Sequence, residues 1–327
     1  MGQVAAGLLL LLACGYLLQV NDSARPPSDS PPATPAPALV ARVADAGDPS
    51  SGRDYFVSRS QSEVIPLGRQ NVDLPILMYH YIRQPPAPRG DWMGFKLSVS
   101  PADFHAQMDW LGANGYHPVD FNDLRAYFSG RQPLPSKPIV ITFDDGYADL
   151  FTTAYPILLA HRFKAVAYIV SAFVGQSRYV SAAQVVQMDR AGIEIASHTV
   201  DHANLARSSP PSIMRELLDS KRWLEQELGH PVLDFAYPSG KFNAQVVADV
   251  RLAGYDTAVT TQSSTSHSLA DRYTWARVRV GGGESLTEFI QNLGPVMKAD
   301  RITVVDVRTP ALGPPTLAAP FPLMLPQ

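Results

Sequence analysis

Cysteine is almost absent: Cys14 is the only one among 327 residues. That excludes an intramolecular disulfide framework and any cysteine-rich zinc site, so a metal here must be held by His, Asp or Glu. Charge is also sparse, at 17% of residues with a net charge of −3. No basic footprint is available for nucleic acid or an anionic membrane surface, so no nucleic-acid partner is expected. Long hydrophobic runs are missing except for one, from Val4 to Val20, which carries no charge and precedes the first basic residue, Arg25. It is too long for a minimal signal core and slightly short for a spanning helix.

What is present organises the rest. Within the apolar run, Leu11-Leu12-Ala13-Cys14 has the form of a lipoprotein cleavage box. Residues 1–21 are therefore expected to be a signal peptide, lipoprotein signal or membrane anchor. Any membrane association should run through that segment alone, with the remainder extracytoplasmic, in the periplasm or at the cell surface. Residues 22–50 hold seven of the 29 prolines and no aromatic residue. Such a stretch cannot bury enough apolar surface to offset chain entropy, so 22–70 reads as a linker. Six more prolines mark 301–327 as a tail, leaving about 71–300 as the folded unit.

Inside it, apolar runs alternate with amphipathic segments. Leu74–Ile82, Pro138–Phe143, Ala165–Val170, Ile193–Ala196, Leu233–Ala236 and Thr257–Thr260 read as strands. Ser100-Pro101-Ala102-Asp103 predicts a helix start, followed by Phe104, Met108 and Leu111 at helical spacing. Ile213, Leu217, Leu224 and Leu228 predict a longer helix that Gly229 ends. This alternation implies an α/β fold with a mostly parallel sheet, open or closed into a barrel.

Two motifs carry chemistry. Ile139-Val140-Ile141-Thr142-Phe143 runs straight into Asp144-Asp145-Gly146, which puts two acids at the carboxyl end of a strand, where α/β folds bind ligands. Adjacent carboxylates need solvent or a cation to stay ionised, and a solvated Asp-Asp-Gly turn reads equally well. About fifty residues on, Ile193–Ser197 leads into His198-Thr199-Val200-Asp201-His202. A helical continuation after Ser197 places both histidines one turn apart, able to grip one divalent ion with a carboxylate from another strand. The helical zinc-protease pattern is excluded, because Thr199 stands where its glutamate must be.

Together, Thr142–Gly146 and Ser197–His202 resemble the paired signature of the polysaccharide deacetylase family, the fourth family of carbohydrate esterases. The likeness runs over about residues 73–297 and includes Leu77–Ile82, Phe235–Gly240 and Trp275–Val278. The tyrosine–histidine strand Leu77-Met78-Tyr79-His80-Tyr81-Ile82 resembles the branch of biofilm poly-N-acetylglucosamine deacetylases. The resemblance implies a distorted, incomplete TIM-like (β/α) barrel of about seven parallel strands. It implies Asp145, His198 and His202 as ligands of one divalent ion, zinc by preference with cobalt or nickel as alternatives, and Asp144 as general base.

The chain departs from the family in two places. The late Leu-x-His motif that usually supplies the acid is missing, and His267 does not match it. His80, at the end of an apolar strand, is the candidate acid instead. The Arg-x-Pro-Tyr arginine is also missing, since the matching stretch reads Phe235-Ala236-Tyr237-Pro238. Arg277 is the candidate to pair with Asp144 in its place. Tyr237 and Pro238 are expected at the substrate, with a backbone N–H near Tyr237 as an oxyanion donor. The expected substrate is an acetylated amino-sugar polysaccharide, a β-linked N-acetylglucosamine polymer. Peptidoglycan, chitin oligomers, an O-acetylated glycan, or binding without turnover stand as alternatives.

Overall fold

The computed structural model describes residues 71–294. The expected signal or anchor at 1–21, the whole linker at 22–70 and the tail at 301–327 lie outside the described residues. No helix among the described residues is long and apolar enough to cross a membrane.

Seven parallel strands form the sheet: β1 Ile76–Tyr79, β2 Pro138–Phe143, β3 Ala165–Ile169, β4 Ile193–Ser197, β5 Asp234–Ala236, β6 Thr257–Val259 and β7 Val278–Arg279. Their order is β6-β5-β4-β3-β2-β1-β7, each parallel to its neighbour. Just ahead of β7, Trp275 bridges Val259 of β6. The result is an incomplete (β/α) barrel whose seam is a few residues long. The longer helices are α1 Pro101–Ala113, α2 Phe121–Phe128, α3 Tyr155–His161, α4 Ala182–Arg190, α5 Pro210–Leu228 and α6 Ala244–Leu252 between strands, and α7 Leu286–Asn292 after the last strand.

The local signals work as chemistry requires. Ser100 accepts from the Asp103 N–H at 3.1 Å, with Pro101 in the first turn, and so opens α1. Gly229, at φ 79°, closes α5 in the left-handed conformation. All six residues of β2 are buried, the mark of a parallel strand covered on both faces. Alternate residues part there. Ile139, Ile141 and Phe143 join Phe104, Met108 and Leu111 under the outer helices. Val140, Ile76, Val166, Tyr168, Ala196, Ala236 and Val259 fill the barrel with Trp275, over Phe121, Leu124 and Tyr127 of α2. Truncating Ile141 to alanine would cost about 2–5 kcal/mol, the usual toll for a core cavity.

One expected strand is broken up. Leu74–Ile82 was to be a single run, but only Ile76–Tyr79 lies in the barrel sheet. Asn71–Asp73 pairs antiparallel with Ser266–Ser268, and Tyr81–Ile82 pairs with Ser98–Val99. Pro75 lacks the N–H that a continuous ladder needs.

Candidate active site

Period-2 alternation carries the inward side of each strand past its end, into the mouth of the barrel. Ile76 faces inward, hence His80; Val140 faces inward, hence Thr142 and Asp144; Ala196 leads to His198, and Trp275 to Arg277. Three strand ends, and Arg277 just ahead of β7, thus aim four candidate side chains at one place.

Arg277 is fully buried. Its Nη1 donates to Asp144 Oδ1 at 2.6 Å and its Nη2 to Asp144 Oδ2 at 2.7 Å. Further donations from Nε to Thr260 O and from Nη1 to Thr142 Oγ1 lock the fork in place. Burial alone would raise the Asp144 carboxyl, but the Arg277 guanidinium holds it well below the usual carboxylate range. His80 Nε2 lies 3.8 Å from Asp144 Oδ2, and its buried Nδ1 has no hydrogen-bond partner. Burial lowers the His80 pKa, against the opposing pull of Asp144 and Asp145.

Beside this pair lies the second group. Asp145 takes the left-handed region at φ 72° and Gly146 follows at φ 75°, so the chain turns sharply out of β2. A Cβ on Gly146 would stand 3.1 Å from Ile169 Cδ1, in a conformation L side chains rarely adopt. Asp145 bears the same strain as a non-glycine residue, which is common at functional sites. The turn swings its carboxylate to the histidines: Oδ1 is 3.4 Å from both His198 Nε2 and His202 Nε2.

Buried Asp145 Oδ1 has no hydrogen-bond partner. His198 Nδ1 lies 2.8 Å from Ala236 O, an acceptor only, so Nδ1 carries the proton and Nε2 turns a lone pair toward Asp145. Two imidazole nitrogens and an orphaned carboxylate oxygen converging in this way fit a divalent cation, and Asp145, His198 and His202 are all within ligand reach of one another. Burial opposes charge on Asp145; with no cation bound, a proton on His198 Nε2 would hydrogen-bond it, and His198 followed by His80 hold its carboxyl below the ordinary range.

The chain does not continue as a helix after Ser197. Thr199 and His202 have φ 70° and 61°, and the N–H groups of Val200 and Asp201 donate to Glu216 Oε2 at 2.9 and 3.2 Å instead of to carbonyls of a preceding turn. The carbonyls of Thr199 and Val200 accept from Ser171 and Ala172. The histidines meet on a clamped loop, with ring centroids 5.0 Å apart. Glu216 is therefore a site residue that the motif reading missed. Its signal was legible: a charged residue on the buried stripe Ile213, Leu217, Ser220, Leu224 of α5.

The expectations at Tyr237 and Pro238 are corrected. Tyr237 is fully buried; its OH donates to Tyr273 O and its ring packs against Phe235 and Phe242, so that ring cannot meet substrate. Its own N–H is spent on Val259 O, so an oxyanion donor near Tyr237 would come from a neighbouring residue. Pro238 is buried with it. Trp275 stacks on Phe121 in the barrel core, and His267 is buried against Leu74 O. Asp201 is exposed, its side chain accepting no hydrogen bond from either histidine. A second residue outside the motifs stands at the mouth: Tyr147 stacks on Tyr81, centroids 3.6 Å apart. Burial first, then neighbouring Asp145, push its phenol far up, so it stays protonated.

Residues 131–258 match the polysaccharide deacetylase family profile. YxkH of Bacillus subtilis (strain 168), itself named for polysaccharide deacetylation, is 32% identical over 216 residues, covering 66% of this chain and 74% of that one. The poly-beta-1,6-N-acetyl-D-glucosamine N-deacetylase of Escherichia coli (strain K12) is 25% identical over 256 residues, spanning 64% of this chain but only 38% of the relative. The enzyme of that name from Staphylococcus aureus (strain MRSA252) is 27% identical, and the match covers 59% of its length. Among solved structures, the Streptococcus pyogenes deacetylase PplD in complex with acetate superposes with a TM-score of 0.63 at 28% identity, over 68% of this chain and 99% of that one. Sequence likeness across three-quarters of a relative, on a barrel shared with a deacetylase caught with acetate, leaves one conclusion: the chain belongs to the polysaccharide deacetylase family, hydrolases that act on amide-linked acetyl groups.

Proposed function

We propose that this deacetylase removes N-acetyl groups from a β-linked N-acetylglucosamine polysaccharide, using one divalent ion held by Asp145, His198 and His202. Zinc is the preferred ion, with cobalt or nickel able to take the same ligands. The observation that carries the reading is the orphaned Asp145 oxygen between two imidazole nitrogens, next to an Asp144 that Arg277 keeps ionised.

A divalent ion at that position supplies Lewis acidity toward the acetamide carbonyl and lowers the pKa of water. Asp144 is the base. Its low proton affinity makes it weak, which suffices for an acidified water, and Arg277 leaves two of its roughly four lone-pair directions free. Asp144 Oδ2 lies 3.8 Å from His80 Nε2, so a proton taken by Asp144 has a short path to the imidazole. His80 can pass it to the departing amine, which must be protonated because an amide nitrogen leaves poorly as an anion. Arg277 touches Asp144, not the reacting atoms, and is a positioning residue.

The polymer assignment draws on relatives named poly-beta-1,6-N-acetyl-D-glucosamine N-deacetylases. The reading includes export: Val4–Val20 and the proline-rich segment after it would carry the domain out of the cytoplasm as a signal or anchor. The test is acetate release from acetylated glucosamine oligomers, with and without chelator. Release that stops with chelator and returns with zinc supports the proposal; undiminished release without metal would sink it. Activity on peptidoglycan or chitin fragments but none on β-1,6-linked oligomers would move the substrate.

A further inference from the structure

His105, Asp109 and His161 form a second group of metal-type ligands with no part in the chemistry above. α1 carries His105 and Asp109 four residues apart, so both project from one exposed face. α3 ends on His161 and packs against α1. His105 Nδ1 lies 2.9 Å from Asp109 Oδ2, and His161 Nε2 lies 3.2 Å from Asp109 Oδ1. One ligand atom from each residue lies within 4.8 Å of the other two. The imidazoles are edge to face, 5.8 Å apart at 69°, and so are not stacked shut.

The rings are also held. His161 packs on Phe163 at 5.1 Å, and its Nδ1 side turns toward Gly112, where an added Cβ would stand 3.9 Å away. That leaves Nε2 directed at Asp109. Asp109 only accepts, so in the metal-free protein His105 Nδ1 and His161 Nε2 carry protons toward it; an arriving cation would displace those protons and take the three atoms as ligands. A plain hydrogen-bonded triad would need only one histidine per carboxylate oxygen, which this is. The added feature is convergence of all three ligand atoms within the span of one ion.

We propose that His105, Asp109 and His161 bind a second divalent transition-metal ion of the zinc class, tying α1 to α3, with its remaining positions open to solvent. α1 and α3 both pack over β2, so the ion would staple two of the helices that cover that strand. The His105 and Asp109 side chains are 56% exposed, and competition from water makes this the weaker of the two sites.

The test uses the full chain, stripped of metal and titrated with zinc, reading stoichiometry by calorimetry and by metal analysis after gel filtration. Two equivalents are expected. His105→Ala combined with His161→Ala should lose the weaker equivalent and keep acetate release. His198→Ala should do the reverse, losing the tighter equivalent and activity. Zinc beyond the first equivalent should raise the unfolding midpoint of the wild type and leave the double variant unmoved. His105→Ala alone, at a largely exposed position, serves if the double variant fails to fold. A wild type that saturates at one equivalent, or variants that still take two, would overturn the proposal.

Discussion

The barrel holds a buried arginine–carboxylate cluster at each end, and the two differ in completeness. At the closed end, Arg125 donates to both oxygens of Asp234 at 2.6 and 2.9 Å, and to Glu194 Oε1 at 2.9 Å. The remaining positions are filled: Thr257 Oγ1 donates to Asp234, and the Phe121 N–H donates to Glu194 Oε2. At the mouth, Arg277 grips Asp144 just as tightly, yet Asp145 Oδ1, His80 Nδ1 and Thr199 Oγ1 are buried without partners. A satisfied cluster fastens elements together; here it joins α2 to β4, β5 and β6. An unsatisfied one keeps its desolvation cost until a ligand arrives. The charge states diverge as well. Arg277 holds Asp144 down, whereas burial and neighbouring Asp234 push Glu194 well up.

That contrast can be broken most directly at Asp144. Asp144→Asn should cut acetate release by about a thousandfold or more, the upper part of the range for a lost general base, while retaining metal. Loss of the ion as well would mean the two aspartates have exchanged roles. The same variant probes stability in metal-free protein. The depressed Asp144 carboxyl contributes stability that is fully present above its unfolded value near ~4 and is lost as pH falls through the lower folded value. The gap in unfolding free energy between wild type and variant should therefore narrow in acid; a gap that widens would contradict the assignment.

At the closed end the effect should fall on stability. Arg125→Ala leaves two buried carboxylates without their cation and should cost about 3–5 kcal/mol in urea unfolding. Metal affinity of the surviving folded fraction should be unchanged; a parallel loss would show that the two ends are coupled. His80→Ala should slow amide hydrolysis by about a hundredfold and leave an activated ester far less affected, because that leaving group needs no proton. Equal losses on both substrates would remove His80 from the acid role. Smallest is Glu216→Gln, which keeps the side chain's shape but weakens its hold on the Val200 and Asp201 N–H groups. Metal affinity should drop about tenfold, as for other groups that orient ligands. No change would leave Glu216 with a purely structural part.

Much of the site was legible because strand alternation is rigid. Once Val140 is inward, Thr142 and Asp144 must be, and the same rule carries His80, His198 and Arg277 into the mouth. The loops obeyed no such period. Spacing left a helix open for His198 and His202, but the left-handed Thr199 and His202 break it, and Glu216, on a distant helix, anchors the resulting loop through the Val200 and Asp201 N–H groups. Tyr237 failed for a related reason. Its place beside a motif said nothing about which way the ring turns, and packing against Phe235 and Phe242 turned it into the core.

By itself the sequence determined the strand–helix alternation, the caps at Ser100 and Gly229, and the delivery of Asp144, His80 and His198 to strand ends. These follow from local periodicity and backbone chemistry. Only the tertiary structure decided that Arg277 is buried and clamped on Asp144, which lies more than a hundred residues away. It alone decided that Asp145 turns left-handed to reach two histidines. Neither depends on neighbours in the chain: closing the barrel brings β7 beside β1 and lays the ends of β2 and β4 within reach of one ion.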